Sequence, residues 1–183
     1  LIVHKVWVPP FGGGTHNALP LPKRDLLIVV DETVLDDQED GFKPIWVFDN
    51  QVKSNPISVA TFPEPSERDY IAVGGHFGPH NIHENRPGSF VSSELIFATY
   101  QNAGIRGYDI RDPLRPMEVG ACVPPAPKKL IDPRPNRPVV TGVLRVTARP
   151  GPRREWLNGY RPGGGWRWPS APGQAFWLGI IGS

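Results

Sequence analysis

Along residues 1–127 the apolar side chains fall in short runs, among them Leu26 to Val30, Ile45 to Phe48, Leu95 to Ala98 and Ile105 to Tyr108, each bounded by turn-forming Gly, Pro, Asn or Asp. Short β-rich runs with such boundaries predict strands joined by turns. No stretch sustains an apolar repeat at 3.6 spacing, and 23 prolines with 20 glycines work against long helices. The expected class is all-β.

The runs also recur. Phe11-Gly-Gly-Gly-Thr-His16-Asn17 corresponds to Phe77-Gly-Pro-His80-Asn81, and Leu27-Ile-Val-Val-Asp31 to Leu95-Ile-Phe-Ala-Thr99. Ile45 through Asp49 then corresponds to Ile105 through Asp109, and Asn55 through Phe62 to Arg115 through Cys122. Four strands per unit is the grammar of a propeller blade. The predicted architecture is a partial β-propeller of two four-stranded antiparallel blades, residues 11–66 and 67–127. Residues 1–10 read as the end of a preceding blade, and residues 128–142 as a Pro-rich linker.

On these blocks the chain resembles the LVIVD-repeat family of β-propeller proteins. The strand that names the family stands here as Leu27-Ile-Val-Val-Asp31, flanked by Phe11 through Pro22, Gly78 through Gly88 and Tyr108-Asp-Ile-Arg-Asp-Pro113. The resemblance covers about residues 1–140 and implies a propeller fold, without implying a reaction. A closed ring needs at least about four blades, so two leave strand edges open, and self-association through those edges is expected.

Residues 143–183 break the pattern where another blade is due. They hold four of the six tryptophans and six arginines against one acid, Glu155, the bias expected of an atypical, frameshifted tail, with a natural Gly/Pro-rich extension as the alternative. That tail carries +5 of a formal net charge of +2, which leaves residues 1–142 at −3 and gives no reason to expect a nucleic-acid partner. Apolar runs are too short to span a bilayer, so no membrane partner is expected either. No signal-peptide pattern opens the chain, which favours the cytoplasm. The one methionine is Met117, however, so a segment upstream of Leu1, with any signal it carried, is expected to have been lost. The lone Cys122 sits in an apolar run and reads as a structural thiol.

Chemistry enters through polar residues at repeated places. His16-Asn17 and His80-Asn81 each open a unit, and if the first strand of a blade lines a central channel the two pairs converge on one axis. Imidazoles and amides that converge can bind a metal, polarise a ligand or bond neighbouring backbone. His76, His80, His83 and Glu84 crowd the second copy, but on an extended strand His80 and His83 point to opposite faces. Asp31 and Glu32 end an apolar strand and could pair with histidine for general-base work or cap a turn. In the acidic stretch that follows, Asp36, Gln38, Asp40 and Gly41 imitate the first half of a calcium loop. Val47 stands where the bidentate acid belongs, so a solvated acidic loop is the alternative. Asp49 and Asp109 precede Pro-containing turns and read as turn caps.

Gly12 to Gly14 lacks the Lys-Ser/Thr of a phosphate loop, and no serine elbow is present, so neither an organic cofactor nor serine-type catalysis is expected. The resulting expectation is a metal-dependent hydrolase, calcium favoured, acting on a small ester or lactone. His16, His80 and His83 are the candidate catalytic residues, and Asn17, Asn81, Asp31, Glu32, Asp36 and Asp40 the candidate ligands. The alternative is a non-catalytic propeller scaffold for protein partners.

Overall fold

The computed structural model describes residues 14–65 and 75–123, together with the backbone of residues 144–147 and 177–180. The expected blade end at residues 1–10 and the linker at 128–142 lie outside the described residues, as does most of the tail. Within it, β9 (Leu144–Thr147) and β10 (Trp177–Ile180) pair antiparallel.

The rest is all-β, in two four-stranded antiparallel sheets whose strands follow chain order. The first comprises β1 (Thr15–Leu21), β2 (Leu26–Asp31), β3 (Ile45–Asp49) and β4 (Ile57–Thr61). The second comprises β5 (Gly78–Ile82), β6 (Leu95–Gln101), β7 (Gly104–Asp109) and β8 (Met117–Cys122). Both are plain meanders, in which each strand pairs with the one that precedes it in the chain.

The repeat extends to details. Asp49 Oδ1 accepts the Gln51 N–H at 2.8 Å, and Asp109 Oδ1 accepts the Arg111 N–H at 2.9 Å, so both aspartates cap the turn that follows. The register of β3 against β4 slips between Val47 and Phe48, and that of β7 against β8 slips between Gly107 and Tyr108, at matching positions.

One alignment changes. Leu26 pairs with Asp49 while Leu95 pairs with Asp109, so Leu95 is equivalent to Leu26 rather than Leu27, and Asp31 is equivalent to Tyr100. The connection beyond the strand differs as well. Residues 32–44 form a long loop in the first sheet, whereas Asn102 and Ala103 alone turn β6 into β7, with φ of +64° at Asn102 and +73° at Gly104.

The sheets share one apolar core. Leu19, Ile28, Val30, Ile45 and Val47 from the first join Ile82, Ile96, Ala98, Tyr108 and Ile110 from the second, and the Phe62 and Tyr108 rings meet at 4.7 Å. Polar latches hold the two ends of the seam. At one, the Arg24 guanidinium donates to the carbonyls of Ser93 at 2.6 Å and Arg111 at 3.0 Å. At the other, buried Thr33 Oγ1 donates to the Phe77 carbonyl at 3.0 Å, and the Asp37 N–H donates to the Gly75 carbonyl at 2.9 Å. The Thr33 bond is the buried one, and a buried carbonyl left without a donor costs about 1–3 kcal/mol.

Candidate metal centre at the seam between the sheets

His16 and His80 occupy the same place in the two repeats, one residue beyond Thr15 and Pro79, which pair with the equivalent Asp31 and Tyr100. Both ladders are irregular there, between Thr15 and Asn17 and between Pro79 and Ile82. An interrupted ladder frees a residue from strict alternation and re-aims its side chain. The two imidazoles meet across the seam, stacked with centroids 4.8 Å apart and planes 25° apart.

Glu32 follows β2 directly, and its N–H donates to the Gly14 carbonyl at 3.0 Å, which fixes where its side chain leaves the backbone. The carboxylate then divides itself between the rings. Oε2 lies 3.1 Å from His16 Nδ1, and Oε1 lies 3.2 Å from His80 Nε2. Asn81 closes the circle on the far side, with Oδ1 3.2 Å from His16 Nε2 and Nδ2 3.1 Å from His80 Nδ1. His16 thus faces acceptors at both ring nitrogens, while His80 receives the amide at Nδ1 and presents Nε2 to the carboxylate.

His80 sits below the ordinary imidazole value of 6.5, because burial disfavours the imidazolium. Glu32 opposes that shift, and His16 and His76 add to it. A neutral ring is the form that binds a metal. Ligand atoms of His16, Glu32 and His80 all lie within 4.8 Å of one another, and the three side chains keep between 22% and 35% of their surface open. Solvent or a small ligand can reach them.

The other expected site residues stand elsewhere. Asn17 Oδ1 accepts the Ile82 N–H at 3.4 Å and so ties β1 to β5. Asp31 is buried, and its carboxylate accepts from Thr15 Oγ1 at 2.9 Å and from the Trp46 indole at 2.8 Å, a structural role inside the first sheet. Neighbours at a strand end point to opposite sides, which is why Glu32 reaches the seam and Asp31 does not. His83 is buried beside the second sheet, its Nε2 2.8 Å from the Phe90 carbonyl, and takes no part in the cluster.

The acidic loop turns its carboxylates to protein partners. Asp36 faces His76 at 3.1 Å, and Asp40 accepts the Val34 N–H at 2.9 Å and faces the Lys43 ammonium at 3.5 Å. Burial works to raise the Asp40 carboxyl, yet these groups and further backbone N–H donors hold it below 3.8. Lys43 thus supplies Asp40 with a cation from within the chain. The Cys122 thiol is half-buried and raised by burial, in keeping with a structural thiol.

No family model, curated protein or solved structure matches the chain. The meaning of the site therefore rests on its own geometry.

Reading the sequence did not single out Arg24, Thr33 or the pair of buried Arg106 and exposed Glu118, 3.0 Å apart. Only Arg106 leaves a trace in the sequence, as a cation in the middle of an apolar run at the position of Trp46.

Proposed function

We propose that the chain is a metal-dependent hydrolase of small esters or lactones, built from consecutive blades of a β-propeller of the LVIVD-repeat type, with its centre at His16, Glu32 and His80. One observation carries this reading: two histidines at equivalent repeat positions and a carboxylate converge, partly open, on a common point. A divalent ion held there would polarise a carbonyl and acidify a coordinated water. His16, His80 and Glu32 would hold the ion. The Asn81 amide oxygen accepts from His16 Nε2 and frees its Nδ1, the kind of contact that sets the tautomer and direction of a ligating imidazole. The amide nitrogen instead donates to His80 Nδ1, a bond that His80 would exchange to offer an unprotonated Nε2.

Chain order of the strands and the shared core of successive sheets agree with blades placed side by side. Self-association through open edges belongs to the same proposal. Ile57 and Met117, each 57% exposed, open the outer strands β4 and β8 at matching positions.

A second reading, the non-catalytic scaffold, is favoured by the closed circle of contacts among His16, Glu32, His80 and Asn81, which by itself would latch two repeats together. Hydrolysis of a short aryl ester and a five-membered lactone, with and without chelator, separates the two. Turnover abolished by chelator, restored by a divalent metal and lost in His80→Ala supports the hydrolase. Absence of turnover, or turnover insensitive to chelator, supports the scaffold.

A further inference from the structure

We infer that the ion this site takes is a nitrogen-preferring transition metal of the zinc class, not calcium, and that it binds as a bridge between the two repeats. The inference rests on the proposed metal site but not on hydrolysis. Calcium wants six to eight oxygens. The cluster offers two imidazoles and one carboxylate, and the nearest amide oxygens are already engaged, that of Asn81 by His16 and that of Asn17 by the Ile82 N–H. Imidazole with carboxylate suits zinc, cobalt, iron or nickel.

Spacing points the same way. Ligand bonds of roughly 2.0–2.2 Å in tetrahedral array put neighbouring donors about 3.3 Å apart. Glu32 lies 3.1 Å from His16 through Oε2 and 3.2 Å from His80 through Oε1, each close to one such edge, and a small turn of the carboxylate would let one oxygen serve both. The third edge, between the imidazoles, would close by movement of the two rings, whose donor atoms lie within 4.8 Å and which are partly exposed. A fourth position stays open to water. His16 and Glu32 belong to the first sheet and its loop, whereas His80 belongs to the second. Binding the ion must therefore tie the sheets together.

The test is calorimetric titration of the intact, chelator-stripped chain with zinc, cobalt and calcium chlorides, with visible absorption recorded for cobalt. One zinc or one cobalt per chain is expected, cobalt giving the intense visible bands of a low-coordinate site, and calcium giving no comparable heat. Glu32→Gln, His16→Ala and His80→Ala should each weaken zinc roughly a hundredfold or more, beyond the 10–100-fold typical of outer-shell changes, while His76→Ala leaves affinity unchanged. Circular dichroism of each variant separates loss of the site from loss of the fold, and Glu32→Gln is the variant least apt to perturb folding. Calcium binding as tight as zinc, zinc binding indifferent to Glu32→Gln, or no binding of zinc and cobalt would each overturn the inference. Zinc binding without ester or lactone turnover would leave it standing and reject only the hydrolase.

Discussion

The two sheets share a ladder, a bulge and a capped turn, yet they bury different chemistry. At the end of its second strand and the middle of its third, the first sheet places Asp31 against the Trp46 indole. The second sheet has Tyr100 and Arg106 at the equivalent positions, and also buries Thr99, Gln101 and Asn102. Beyond Asp31, the first buries Thr33 and Lys43 among its polar groups. A repeated backbone thus fixes where side chains stand while leaving their chemistry free. The candidate site appears where the two repeats meet, since Glu32 serves the histidine of its own repeat and that of the next.

The difference is sharpest at Arg106, whose guanidinium is wholly buried and donates to Glu118 at 3.0 Å and to the Ala103 carbonyl at 2.9 Å. Losing Glu118 would leave the buried Arg106 guanidinium charged in a poor solvent, although Glu118 itself is exposed. Glu118→Ala should therefore lower stability by about 1.5–3 kcal/mol, the range for a hydrogen bond to a charged group. Ser58→Ala, at the equivalent position of the first sheet, should stay within about 0.5 kcal/mol. Urea denaturation of the two variants checks the contrast, and equal effects would mean that the repeats are energetically alike.

A second comparison concerns the glycines that open the repeats. A Cβ at Gly78 would lie 1.8 Å from Thr33 Oγ1, the hydroxyl that latches the seam, whereas one at Gly14 would meet only the Glu32 carbonyl at 3.3 Å. Gly78→Ala should cost ~3 kcal/mol through displacement of Thr33. Gly14→Ala should cost about 1–2 kcal/mol, set by its φ of +81°. Thermal unfolding of the pair would show the order, and a larger loss at Gly14 would contradict the proposed importance of the Thr33 latch.

The smallest effect belongs to the long loop, which has no counterpart in the second repeat. Asp40 is held below 3.8, so it stabilises the fold above its unfolded value and loses that contribution as pH falls through its lowered folded value. Asp40→Asn should cost ~1 kcal/mol at neutral pH, from weakened bonds to Val34 and Lys43. The gap to the parent chain should close as pH drops below 3.8. Denaturation midpoints measured across that range would show a constant gap if the carboxylate played no such part.

Much of the fold was legible because each strand carries its own burial pattern and each turn its own Gly, Pro, Asn or Asp. The second strand was aligned one residue out because Asp31 and Thr99 both look like polar strand ends. Only the ladder, counted from Asp49 and Asp109, reveals that Asp31 answers to Tyr100. In the site, His16, His80 and Asn81 were legible through repetition, and Glu32 through its place beside a strand end. His83 and Asp31 resembled ligands in sequence but satisfy the Phe90 carbonyl and the Trp46 indole. Those partners lie on other strands or across a loop, where spacing along the chain gives no signal. Arg24 was invisible for the same reason, because its acceptors Ser93 and Arg111 are remote in sequence.

The account's central claim, that the seam between the repeats is a metal centre, is tested most directly by anomalous diffraction at the zinc edge from crystals of the intact chain grown with zinc. The account predicts one strong peak within bonding distance of His16, Glu32 and His80. A peak instead beside Asp36 and Asp40, or none at the seam under saturating zinc, would contradict it.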